Sequence, residues 1–335
     1  MMKRTRIFLF GSVAFVVLGL TVGLVAYYGG LSGIAFTRAA GPEALQYIPK
    51  EAAVVAYANV QAVMQSNFRQ KMKAFEPAEG EHGQQELRDA LGIDIEHDIA
   101  HVVACMLPGE GTPDKNGLII AVGRFDQAKI EGFVREKGGA AQPYQGVNVW
   151  THKQITEASS AGHVSPAFAF LGTGVVAMGS IGAVQRAIDL RSQENQSITG
   201  NREMMSQIAK LDDGNVWAVG RWDAVASTAH LPAQVASQMP AITWFAASGN
   251  VDGGLSGTVR VVARDQEAAN NLRQVAMGFM ALARMQADTK PELKGMLNAI
   301  QLGGQDTDVT LSFSLPSELL DALAAKKLPK GTTPK

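Results

Sequence analysis

The spacing of its short apolar runs limits most what this chain can fold into. VVAYANV (54–60), HVVACML (101–107), GLIIAVGR (117–124), VNVW (147–150), AFAFLG (167–172) and GVVAMGS (174–180) read as strands. So do NVWAVGR (215–221), ITWFAASGNV (242–251), LSGTVRVVA (255–263), AIQLGG (299–304) and DVTLSFSL (308–315). Each is brief, rich in β-branched or aromatic residues, and bounded by turn residues. Connections as short as Thr173-Gly174 and Asp252-Gly253-Gly254 can only return the chain alongside itself, whereas parallel neighbours need a crossover of about a dozen residues or more. Helical periodicity follows several runs, at QAKIEGFVREK (127–137), IGAVQRAIDLRSQ (181–193), DQEAANNLRQVAMGFMALARM (265–285) and SELLDALAAK (317–326). The expectation is an α+β fold. Its sheet is largely antiparallel, one per half or one continuous, with helices packed on one face.

The runs also suggest an internal duplication. VVAYANVQAVMQS can be set against NVWAVGRWDAVAS, and HVVACML…GLIIAVGRFDQAKIEGFV against ITWFAASGNV…LSGTVRVVARDQEAANNLRQV. AFAFLGTGVVAMGSIGAVQRAIDL, preceded by VNVW, resembles AIQLGGQDTDVTLSFSLPSELLDAL. This gives a first half over 41–200, a second over 201–325 and a flexible tail over 326–335. The near-identical AVGRFD (121–126) and AVGRWD (218–223) fall at different steps of that scheme, so they read as a shared strand-to-helix corner. In such a corner glycine permits the turn, arginine points to solvent, the aromatic covers the sheet end, and Asp126 or Asp223 caps the next helix. Asp265 and Ser317 look like further caps. On the helix over 265–285, Ala268, Leu272, Val275, Phe279 and Leu282 form one stripe expected to be buried.

The N-terminus fixes the expected compartment. Residues 1–40 contain Lys3, Arg4, Arg6 and Arg38 and no acid, and Ile7 to Tyr28 is a run of 22 uncharged residues. That length crosses a hydrocarbon core of roughly 30 Å. Its cationic flank favours a cytoplasmic N-terminus, placing the body in the periplasm or another extracytoplasmic space. The span is longer than a signal-peptide core, so the segment reads as an uncleaved anchor (7–28) with a tether to residue 40.

Composition and motifs bound the chemistry. Without the first 40 residues, 26 basic residues remain against 31 acidic ones, which is no footprint for nucleic acid. The single cysteine, Cys105, can form no internal disulfide. Of the six histidines only His97 and His101 have the i,i+4 spacing of a helical metal site. The expected strand start near Ala100 removes its meaning, and the glutamate of HExxH is missing. GTGVVAMGSIG (172–182) lacks the third glycine and the acid of a dinucleotide site, and no GxSxG elbow is present. No catalytic, cofactor or metal-binding residue is assigned.

PEALQYIPKEAAVVAYANV, LGIDIEHDI, GLIIAVGRFDQAKIEGFV and GVVAMGSIGAVQRAIDL, following the anchor, together resemble bacterial membrane-anchored exported proteins with a domain of unknown function, over about residues 43–193. The resemblance implies an envelope protein and transfers no catalytic residue. The expectation is a non-enzymatic anchored protein whose body binds a protein, a peptide or an envelope component, with the membrane as its constant partner and no nucleic acid. An anchored hydrolase with a spatially assembled site, or a carrier of a small apolar ligand, are the alternatives, and the oligomeric state is open. A phosphatase that works only after export, fused beyond Lys335, is expected to be active, and a reporter that works only in the cytosol is expected to be silent there.

Overall fold

The computed structural model describes residues 42–72, 85, 88–108, 116–152, 166–226, 241–287 and 297–315. The expected span, tether, final helix, Ser317 cap and tail lie outside them. All eleven runs are strands, and a twelfth joins them. They are β1 (Val54–Ala58), β2 (Ile99–Met106), β3 (Gly117–Gly123), β4 (Gly139–Tyr144), β5 (Val147–His152), β6 (Pro166–Gly172), β7 (Val175–Ser180), β8 (Val216–Arg221), β9 (Ile242–Val251), β10 (Leu255–Ala263), β11 (Ile300–Gly303) and β12 (Asp308–Leu315). They form one sheet in the order β11-β12-β10-β9-β8-β1-β2-β3-β7-β6-β5-β4. Every neighbouring pair is antiparallel. At about 4.8 Å per strand step the sheet spans roughly 50 Å. The unanticipated strand, β4, is GAAQPY. It lacks apolar alternation and carries Pro143, which has no N–H to offer a ladder and so suits an edge. Its turn to β5 places Gln145 and Gly146 at φ 49° and 76°, the two left-handed positions of a tight hairpin.

At the centre, β1 and β8 pair antiparallel with Val55 opposite Val219, Ala56 opposite Ala218 and Tyr57 opposite Trp217. Outward from this seam the path repeats. β1, β2 and β3 are followed across the sheet by β7 and β6, and β8, β9 and β10 by β12 and β11. Val54–Ala58 with the helix α2 (Val60–Met64) is matched by β8 with the helix Trp222–Ala226, 162 positions on (54 to 216, 60 to 222). The hairpin β4–β5 has no counterpart among the described residues. The two AVGR corners end β3 and β8, which are not equivalent strands, and their glycines serve different close approaches. A Cβ on Gly123 would meet the Asp98 carbonyl oxygen at 2.1 Å, and one on Gly220 the Phe245 ring and Val54 at 2.8 Å.

Helices cover both faces of the sheet, which corrects the one-face expectation. Alternation along β1 sends Val55 and Tyr57 to one face, here the front, and Val54 and Ala58 to the back. On the front, α1 (Pro42–Leu45), α6 (Ile181–Asp189) and α7 (Arg202–Ile208) pack over Val55, Val103, Leu118, Ile120, Ala177 and Val219. On the back lie α2, α3 (Asn67–Met72), α4 (Ile95–Asp98), α5 (Gln127–Glu136), α8 (Trp222–Ala226) and α9 (Gln266–Ala287). Central strands such as GLIIAVG are apolar at almost every position, because a strand covered on both sides has no solvent face to alternate toward. The connection between halves is tied into the first half. Ile198 N donates to Ile48 O, Lys50 N donates to Gln196 O, and Ile198 and Met204 are fully buried with α6.

The outer strands of the second half do alternate. On its front face Ser256, Thr258, Arg260, Thr310 and Ser312 stand where the first half has aliphatic residues. Thr258 and Ser312 hydroxyls are 3.1 Å apart. Arg260 is buried, donating to the Gln207 carbonyl at 3.3 Å and toward Asp308 at 3.5 Å, so it joins α7 to this polar face.

Two of the expected caps form. Asp126 accepts from Lys129 N at 3.0 Å, and Asp265 from Ala268 N at 2.8 Å. Asp223 sits inside α8 and not before it, because β8 runs straight into the helix; its carboxylate takes the Arg221 guanidinium, one bond being 3.1 Å, and accepts as well from the first-turn N–H of Ala224. Asp126→Ala is therefore expected to lower stability by about 1 kcal/mol, and Asp223→Ala by clearly less, in urea unfolding followed by circular dichroism.

Candidate functional site

The ends of β2 and β3 meet α4 in a network of ions. Asp94 caps α4 by accepting from Glu96 N, and its carboxylate also lies 3.0 Å from Arg88 and 3.2 Å from His97 Nδ1. Asp98 accepts from Asp94 N and from Arg124, whose guanidinium also donates to the His97 carbonyl. Burial pushes the Asp94 carboxyl up, but the hydrogen bond to His97 and the positive charge of Arg88 outweigh it and hold the group below its ordinary range. Beside the network lies an open depression of about 420 Å³, lined by Gln61, His97, Asp98, Ala100, Val122, Gly123 and Arg124. Asp94 and Asp98 are each matched to an arginine, and the Asp98–Arg124 pair ties α4 to the β3 corner. Arg124 points to solvent as the corner reading anticipated, although it also holds Asp98.

His97 and His101 do not share a helical face. The helix carrying His97 packs through Ile95 on the back of the sheet, while His101 belongs to β2 and lies on the front, its ring 6.0 Å from that of Tyr57. Tyr57 also contacts the Trp217 ring at 5.6 Å across the central seam. Burial raises the Tyr57 phenol. Burial lowers His101 against the opposing influence of Glu43. Cys105 is fully enclosed, and burial above all pushes its thiol up, which suits apolar filling and not nucleophilic attack. Among the described residues no three His, Cys, Asp or Glu side chains gather as a metal ion would need.

The most distinctive surface lies at the far end of the second half. α9 starts as the sequence predicts, with Ala268 and Ala269 buried against Ala263 and Val309 and with Leu272 packed beside them. Arg273 then clamps the β11–β12 turn, donating to the carbonyls of Asp306 and Asp308. Beyond it the buried stripe fails. Phe279 and Leu282 continue it yet are 44% and 54% exposed, and Met277 and Met285 are 53% and 71% exposed. The 22-residue α9 is about 33 Å long, and the side chains it packs into the core at this end of the sheet, Ala268, Ala269 and Leu272, lie in its first two turns. The equivalent helix, α5, has 10 residues and lies where β5 and β4 carry the sheet further outward. Among the described residues the sheet ends at β11. Sequence periodicity missed this surface because it reports which side of a helix is apolar and not how much sheet lies beneath it.

A protein family described as "Protein of unknown function (DUF3352)" matches residues 10–254, well over half of the chain. The match reaches past the resemblance noted over 43–193 and ends between β9 and β10. No curated protein and no solved structure matches. Among the described residues no helix is long and apolar enough to cross a membrane, and the stretch 7–28 is not among them.

Because the folded state holds the His101 pKa down, the unfolded chain takes up its proton first as pH falls. The contribution of this residue to stability is complete above about pH 6.5 and declines below it. His101→Gln is expected to narrow the difference in melting temperature between pH 7.5 and pH 5.5, measured by calorimetry.

Proposed function

The chain belongs to the DUF3352 family, whose description names no activity, and we propose that it is a non-enzymatic envelope protein, anchored by residues 7–28, that docks a partner on the exposed half of α9 and the neighbouring edge of β11. The observation that carries this reading is the cluster of Met277, Phe279, Leu282 and Met285. Together these side chains present apolar surface on the order of a few hundred Å², the size that marks interaction sites on soluble proteins. Among the described residues β11 is the last strand on its side, and its outer edge adds a row of backbone donors and acceptors suited to strand addition. The uncharged run with its cationic flank supports the anchor and the extracytoplasmic placement of the body. The matching strand paths, and the 162-residue step between β1 and β8, support descent of the two halves from one duplicated unit.

A benzophenone amino acid at position 279 of the full-length protein, irradiated in cells, tests the docking surface. A recurrent, identified adduct that is lost when the probe is moved to position 142 on the β4 edge is expected. Absence of any adduct specific to position 279 would overturn the reading.

A further inference from the structure

We infer that the depression at the ends of β2 and β3 is a binding site for a carboxylate, carried on a small organic acid or on the C-terminus of a peptide, with Arg124 as the group that grips it. The two AVGR corners carry the inference, because the same four residues leave their arginines differently engaged. In the second corner, Arg221 donates Nε and Nη2 to the two carboxylate oxygens of Asp223, so one edge of the guanidinium is consumed within the corner. In the first, Asp126 is turned to cap α5 through Lys129 N, and Arg124 is left to other partners. Its Nη2 alone takes them, donating to Asp98 Oδ1 at 3.0 Å and to the His97 carbonyl at 2.9 Å. A guanidinium carries five N–H donors, and among the described residues Nε and Nη1 of Arg124 meet no acceptor. The side chain is 77% exposed and lines the depression.

The surroundings hold this arginine still and shape what it can grip. Its backbone N–H donates to the Asp98 carbonyl at 2.7 Å. A Cβ on Gly123 would strike that same oxygen at 2.1 Å, so glycine is what lets the β3 end approach α4 this closely. Anchored through its backbone and through Nη2, Arg124 loses less freedom on taking a ligand than an untethered surface arginine would. The apolar part of the lining is Ala100 and Val122. Ala100 is the extra residue of a bulge: Ile99 faces Gly123 and His101 faces Val122, with no residue of β3 opposite Ala100. Bulges of this kind re-aim the chain beside functional sites. Gln61, exposed at the start of α2, adds an amide to the rim. Both carboxylate oxygens of Asp98 already accept, from Asp94 N and from Arg124, so the capacity left over on this wall belongs to the arginine. The volume of about 420 Å³ falls within the range of about 300–1,000 Å³ usual for small-ligand sites. Donors beside a small apolar lining suit a carboxylate on a short aliphatic body, which a guanidinium takes through charge-assisted hydrogen bonds.

Saturation-transfer difference NMR on the full-length protein in detergent, at constant ionic strength, tests the site with sodium propionate, with N-acetyl-alanyl-alanine and with the amide of each. Saturable signal from at least one carboxylate, with a Kd of about a few millimolar or tighter, is expected, and its amide is expected to bind at least about tenfold more weakly. Binding of propionate identifies a small-acid site, and binding of the dipeptide alone identifies a peptide C-terminus. Arg124→Gln is expected to weaken binding at least about tenfold. Arg124→Lys keeps a partner for Asp98 but has one ammonium to serve both Asp98 and the ligand, and is expected to weaken it at least about threefold with the circular dichroism melt unchanged. Arg221→Gln, at the corner whose arginine is already engaged, is expected to bind as the unaltered chain does. No saturable signal from either carboxylate, equal binding of the amides, or undiminished binding in either Arg124 variant overturns the inference.

Discussion

The whole arrangement depends on the pairing of β1 with β8. Neither half closes its own sheet at that point. The inner edge of each is a central, two-sided strand, with Val55, Tyr57 and Val219 among the most deeply buried side chains of the front core. Separated, each half would expose a row of unpaired backbone groups flanked by apolar side chains, a surface that aggregates in water. Joined, the two strands make one sheet whose core runs through the seam without interruption. The segment leading into α7 reinforces this, since it brings Ile198 and Met204 from the second half into the packing of the first.

The two halves use one path for different ends. In the first, the front face is aliphatic and lies beneath α6. In the second, the corresponding positions are hydroxyl-bearing or occupied by Arg260, so an apolar helix face laid there would bury unmatched polar groups. Among the described residues the first half extends its sheet with β5 and β4, while the second ends at β11 and carries the longer helix. In the first half Arg88, Asp94, Asp98 and Arg124 pair off as ions around α4.

Much of this architecture was legible in the residues. β-branched runs and short Gly-containing loops located eleven strands and required them to be antiparallel, because these signals act over two to eight residues and little competes with them locally. β4 escaped because its pairing comes from its neighbour β5 and from a Gln145-Gly146 turn, not from any apolar rhythm of its own. Asp126 and Asp265 were readable as caps, whereas the place of Asp223 inside α8 and its hold on Arg221 were not, since one residue of spacing decides whether a strand runs straight into the helix. The placement of helices on both faces was hidden, because a helix's own stripe does not say which side of the sheet it meets. The exposure along the second half of α9 was hidden for a related reason: a stripe does not say how far the packing beneath it reaches.

Pro143 gives the two ends of the sheet unequal futures. At the β4 end a residue without an N–H interrupts the ladder, so an approaching strand finds an imperfect template. At the β11 end nothing in Ile-Gln-Leu-Gly interferes. A sheet able to extend from one margin only terminates after a single addition. Edge-to-edge stacking into fibres is therefore blocked at the proline-bearing margin.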